Sequence, residues 1–128
     1  MKNLISTRVA IILFAFIIGL FGANHFLNAA DMASNVPSFL PFPKVLVYIS
    51  GTGFLLAAVA FIIIRYVKIA GYLLVVLLLI IVFSVDVPGA ASSQNVHIRM
   101  LFVTNMLKDA ALAMAAIIIA DISRIRRF

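Results

Sequence analysis

Cysteine is absent from the 128 residues. Disulfides, thiolate nucleophiles, Cys-ligated zinc, haem attachment and quinone-linked CxxC thiol oxidoreduction are excluded with it, and the redox compartment leaves no mark on the chain. Charge is nearly as scarce. Asp, Glu, Lys and Arg make up 11 % of the sequence and hydrophobic residues 66 %, where soluble domains hold about 25 % and 45–50 %. No soluble fold of this length hides so much apolar surface, so the solvent is lipid. The P-loop, the dinucleotide fingerprint, the nucleophile elbow and the zincin helix are also missing. The Gly51-Thr52-Gly53 run sits in an apolar stretch and reads as packing. His25 and His97 are the two histidines, and no ligand spacing links them, so no metal site is expected. There is no internal repeat, low-complexity tract or linker, and residues 1–128 read as one transmembrane domain.

What is present is four apolar runs: Val9 to about Leu27, Val45 to Ile64, Ile69 to about Val85, and about Met100 to Ala120. A helix needs about 17–25 residues to cross the hydrocarbon, and all four runs qualify. Barrel strands would be shorter and would alternate apolar with polar residues. The expected fold class is therefore all-α, a polytopic four-helix transmembrane bundle. Arg65, Tyr66, Val67 and Lys68 make a tight charged turn between runs two and three. Pro88 and Gly89 open a polar loop through Ser92, Ser93, Gln94 and Asn95 to His97. The connection from Asn28 to Lys44 is longer and holds Pro37, Pro41 and Pro43, with room for a short interfacial helix around Ala29–Ser34. Pro37 forces the residue before it out of helix, and Phe39, Leu40 and Phe42 are expected in the head-group region.

The net charge of +6 would suggest nucleic acid in a soluble protein. Here the cations flank apolar runs and read as topology signals, so no nucleic-acid partner is expected. Lys2, Arg8, Arg65, Lys68, Arg124, Arg126 and Arg127 fall on one side, and Lys44 and Arg99 on the other. That asymmetry puts both termini in the cytoplasm and the protein in the inner (plasma) membrane. Lys2 and Arg8 could head a cleaved signal, with Gly22-Ala23 as a weak small-residue site. The run exceeds a typical signal core, and it is read as a retained first span.

Polar residues at membrane depth are the informative ones. Lys108 lies about 12 Å past Met100 at about 1.5 Å per residue, near the midplane, where a charge costs about 2.5–3.5 kcal/mol on insertion scales. Lys108 and Asp109 are helix neighbours that do not face each other, so each needs a partner on another helix, or water. Asn105 extends the same face. His25 lies about 25 Å beyond Arg8, near the outer interface, and Asp86 ends run three on that side. Asn24, His25, Asp86, Asn105, Lys108 and Asp109 are thus expected to form one polar cluster in the outer half of the bundle. The blander alternatives are a snorkelling Lys108, a buried pair that only pins register, and a histidine that only anchors. Small residues mark packing faces: Ala15, Gly19 and Ala23; Gly53 and Ala57; Ala111 and Ala115. Tyr48 and Tyr66 sit at opposite ends of run two, as an aromatic belt requires.

The stretches Gly22-Ala23-Asn24-His25-Phe26-Leu27-Asn28 and Val36-Pro37-Ser38-Phe39-Leu40-Pro41-Phe42-Pro43 resemble the first-helix end and loop of DoxX-like membrane proteins. Val47 to Gly53 resembles the start of that family's second helix, Arg65 its basic turn, and Asn105-Met106-Leu107-Lys108-Asp109-Ala110-Ala111-Leu112 its last-helix run. The resemblance covers nearly the whole chain in short, degenerate motifs. It departs at Phe54, near which many members carry a Glu, and at Asp109, where Asn is usual. The resemblance implies a four-helix inner-membrane protein, in a family named for subunits of a thiosulfate–quinone oxidoreductase.

The expected function is an accessory or scaffolding subunit of a membrane complex, in contact with the lipid bilayer and a protein partner, and redox-linked through the resemblance. An enzyme is not the leading expectation, and no cofactor is evident. The alternatives are an oxidoreductase subunit handling a quinone or small sulfur compound, and a small transporter with the cluster as its midplane site. In the oxidoreductase reading His25 carries protons, Lys108 meets an anion or quinone oxygen, and Asp86 or Asp109 tunes it. The lack of an inverted repeat or broken helix weighs against the transporter.

Overall fold

In lipid, backbone polar groups must be satisfied within the chain, and uninterrupted apolar runs do so by winding into helices. The computed structural model describes residues 6–125, with side chains as far as position 123. Its elements are α1 (Thr7–Leu27), α2 (Ala29–Ala33), α3 (Pro43–Ile62), α4 (Val67–Ile81), a π-helical turn (Val82–Asp86), α5 (Val87–Ser92) and α6 (Val96–Ile125). Four helical stretches are long and apolar enough to cross a membrane: Thr7–Leu27, Pro43–Ile62, Val67–Ser92 and Val96–Ser123. Of the charges used for orientation, Lys2, Arg126, Arg127 and the side chain of Arg124 lie outside the described residues.

The ends of the helices carry recognisable devices. Ser6 Oγ accepts the Val9 N–H at 3.2 Å at the start of α1. Asn95 Oδ1 accepts the N–H groups of His97 and Ile98 at 2.9 and 3.3 Å at the start of α6. Each satisfies donors that a first helical turn leaves free. Pro43 opens α3, where its missing N–H does no harm. Between α3 and α4 the chain reverses with Ile64 and Tyr66 both at positive φ, 54° and 58°. The Arg65 N–H reaches back to the Ala60 carbonyl at 3.0 Å, the bond that usually accompanies a left-handed glycine. Ile64 is β-branched and strained there. Its side chain packs on the core, which offsets the strain.

The third and fourth spans differ from their sequence reading. The polar loop expected from Pro88 to His97 is only a three-residue gap, because α5 runs to Ser92 and α6 starts at Val96. The third span carries a π-helical turn, Val82–Asp86, inside a helix that continues from Val67 to Ser92. The Val87 N–H reaches back five residues to the Val82 carbonyl. That widened turn makes room for Pro88, which falls in the first turn of α5, so the proline continues the span instead of ending it.

α1 packs on α3 and α4 on α6, and the α3–α4 contact joins the two pairs. Ile11, Ile18, Phe61, Leu74 and Leu78 are fully enclosed, in a core that runs from the end with the α3–α4 turn to mid-span. Small residues set the approach of the backbones, but not all those expected. Ala15 is buried, and the α1–α3 crossing is then made by Gly22 against Gly51, not by Ala23 and Gly53. A Cβ on Gly22 would lie 2.9 Å from the Gly51 carbonyl oxygen. On α6 the contact face is Ala113, Ala116 and Ala120, while Ala111 is exposed. Gly71 of α4 meets that face, and a Cβ there would lie 2.8 Å from the Ala120 Cβ.

Candidate functional site

The end of the bundle away from the α3–α4 turn is less densely filled. The last turns of α1, the first half of α3, the end of α4 with the π turn, and the first half of α6 enclose a cavity of about 420 Å³. Apolar and aromatic side chains make most of its wall: Phe21, Val47, Phe54, Leu77 and Phe102 among them. The α1–α3 connection supplies a further wall through Met32, Asn35, Val36 and Leu40. Phe39 and Phe42 of the same connection are exposed, so Leu40 turns inward while its aromatic neighbours turn out.

His25, Asp86, Asn105, Lys108 and Asp109 all line this cavity. The sixth expected member, Asn24, is not part of the lining; its side chain accepts a hydrogen bond from the Asn28 amide. Asp86 and Asp109 are buried, 3 % and 7 % exposed. Both line the same cavity. The π turn holds Asp86 at the helix face that also carries Val82, and Asp86 Oδ2 is enclosed without a hydrogen-bond partner.

Lys108 behaves differently from the expectation that it and Asp109 could not meet. Its Nζ lies 3.6 Å from Asp109 Oδ1 and 4.7 Å from the centre of the Phe21 ring. The long stem carries the ammonium round to its neighbour's carboxylate, as snorkelling lysines do, and the Phe21 face adds a cation–π contact. The Lys108 side chain is 41 % exposed, so it closes the seam of the cavity between α1 and α6.

The His25 ring is fixed from two sides. Nδ1–H donates to the Phe21 carbonyl at 2.7 Å, and the Phe54 ring packs at 5.1 Å between centroids. The tautomer is thereby set, with Nε2 the remaining polar atom of the ring. Phe54 is therefore the packing partner of His25. Next to it, Phe26 stacks on Tyr48 at 5.4 Å. His97 is exposed and takes no part. Among the described residues, no three His, Asp or Glu side chains come together as metal ligands. Sequence reasoning missed the aromatic wall of Phe21, Phe54 and Phe102, and the loop wall of Met32, Val36 and Leu40. An apolar side chain in an apolar run carries no sign that it faces a cavity rather than lipid.

Four apolar spans around a polar-ended cavity define a multi-pass α-helical membrane protein. Residues 14–126 match the family described as Domain of unknown function (DUF8561), and the chain belongs to that family. No curated protein and no solved structure matches it.

Proposed function

We propose that the protein is an inner-membrane ligand-binding subunit that holds a small amphipathic molecule, drawn from the bilayer, in the cavity between its two helix pairs. The observation that carries this reading is the cavity itself: about 420 Å³, walled by apolar and aromatic side chains, with Asp86 and Asp109, the two buried carboxyls among the described residues, on its lining. Ligand sites have this make-up, an apolar enclosure with a few convergent polar groups. A bundle that served only as a scaffold would have no need of two buried carboxylates, whose burial opposes folding. The accessory role within a membrane complex stays part of the proposal, with the ligand as what the subunit contributes.

In the same reading both termini lie in the cytoplasm, and the cavity lies in the outer half of the membrane. The charges of Arg8, Arg65 and Lys68 against Lys44 and Arg99 support that orientation. The likeness to DoxX-like proteins supports a quinone as the first molecule to look for, with Lys108 as donor to its oxygen and His25 Nε2 as proton carrier. The test is native mass spectrometry of protein gently extracted from its own membrane. A small molecule retained by the wild type and lost in Lys108→Met supports the site. A co-purifying protein with no small molecule returns the chain to a scaffolding role.

A further inference from the structure

Acidic groups outnumber amines around the cavity. Two carboxyl groups, Asp86 and Asp109, face one ammonium, Lys108, and that ammonium sits on Asp109. The other titratable group on the lining is His25, whose Nδ1 is committed to the Phe21 carbonyl. Asp86 is left with an enclosed Oδ2 that no donor reaches. A buried acceptor without a partner costs about 1–3 kcal/mol, more when charged. A ligand that brings only acceptors, as a quinone does, would leave that oxygen as it is.

We propose that the cavity takes a lipophilic monocation carrying an N–H donor, a protonated amine on an apolar aromatic body, with its ammonium on the Asp86 carboxyl, turned to meet it, and its body between the aromatic walls. The proposal rests on the ligand-binding reading above and narrows it to a chemical class. Lys108 gives the site its selectivity for a single positive charge, since it already neutralises Asp109 and repels a second cation. Phe54 and Phe102 line the same cavity as Asp86, and their faces suit both an aromatic body and a nearby positive charge. The amine reaches the site from the bilayer, where its apolar body concentrates it.

The test uses the full chain in zwitterionic nanodiscs and two probes of equal shape, phenylbutylamine and phenylbutanol, with binding followed by calorimetry. The amine is expected to bind about tenfold tighter or more than the alcohol, the worth of one charge-assisted hydrogen bond. Asp86→Asn is expected to abolish that preference. Should the variant fail to fold, carboxyl-labelled aspartates in the wild type give the same answer. One aspartate carboxyl signal shifts on saturation with amine and stays put with alcohol. Equal binding of the two probes would overturn the cation proposal and would leave the ligand-binding reading standing. A preference that survives Asp86→Asn would overturn it as well. Binding of neither probe would overturn the cation proposal, and the ligand-binding reading would fall with it only if native mass spectrometry also finds no retained small molecule.

Discussion

Replacing Gly22 with Ala tests whether backbone proximity, not apolarity, holds α1 against α3. The added Cβ would lie 2.8 Å from Leu55 Cγ and 2.9 Å from the Gly51 carbonyl oxygen. Leu55 can rotate away, but a carbonyl on a helix cannot, so the two helices must separate by roughly 0.5 Å to restore ordinary contact. Overpacking of this kind costs about 1–3 kcal/mol. Replacing Gly by Ala in a helix returns up to about 1 kcal/mol, so the net loss expected is up to about 2 kcal/mol. Gly19 supplies the control on the same helix. Its Cβ would meet the Ala58 Cβ at 3.5 Å, a normal contact, so Gly19→Ala should be neutral or gain up to about 1 kcal/mol from propensity alone. Reversible unfolding in mixed micelles, followed by far-ultraviolet circular dichroism, measures both. Gly51→Ala presses on the same crossing, where its Cβ would meet the Gly22 carbonyl oxygen at 3.2 Å. The double variant should therefore lose less than the sum of the singles. Equal behaviour of Gly22→Ala and Gly19→Ala, or strict additivity with Gly51→Ala, would refute the reasoning.

The absence of cysteine makes orientation directly measurable: Ser93→Cys should react with an impermeant maleimide added outside intact cells, and Tyr66→Cys only after lysis; the reverse pattern inverts the topology. Asn95→Ala should lower stability by about 0.5–2 kcal/mol and speed amide exchange at His97 and Ile98. If exchange there is unchanged, the Asn95 cap is not what orders the start of α6. Gly71→Leu should be far worse tolerated than Gly53→Leu, since Gly71 faces the Ala116 carbonyl and the Ala120 Cβ, whereas the atom nearest Gly53 is the movable tip of Leu77. Thermal melts of the two side by side decide it.

The sequence made the spans and the buried charges legible for one reason: a charge inside an apolar run violates the expectation set by lipid. Lys108 and Asp109 stood out on that ground, Asp86 as the polar end of run three, and the structure brings all three to one cavity. Which apolar face turns inward was not legible. In water, amphipathicity would mark it, but lipid and protein interior are equally apolar, so Leu73 exposed and Leu74 buried look alike in sequence. Small residues are the substitute signal, and they are ambiguous to one helical step. Gly22 and Ala23 are adjacent, and only the partner's carbonyl decides between them. The Lys108–Asp109 contact escaped because helix spacing describes where stems begin, not where a flexible stem ends. The π turn escaped because nothing in Val82-Phe83-Ser84-Val85-Asp86 departs from an ordinary apolar helix until Pro88.

That π turn has a consequence for comparing this chain with its relatives. An ordinary helix turns about 100° per residue, so Asp86 would drift well away from the face of Leu78 over eight residues. The wider turn consumes residues without completing the rotation, and Leu78, Val82 and Asp86 all end buried. A π turn is in effect a one-residue insertion in an α-helix. Insertions and deletions ordinarily accumulate in loops, where nothing has to stay in phase. Here a single-residue gap in the middle of a span is a meaningful mark. A family member lacking one residue between positions 82 and 86 has closed the turn and rotated its acidic side chain off the cavity. Such a member keeps the four spans and loses the site.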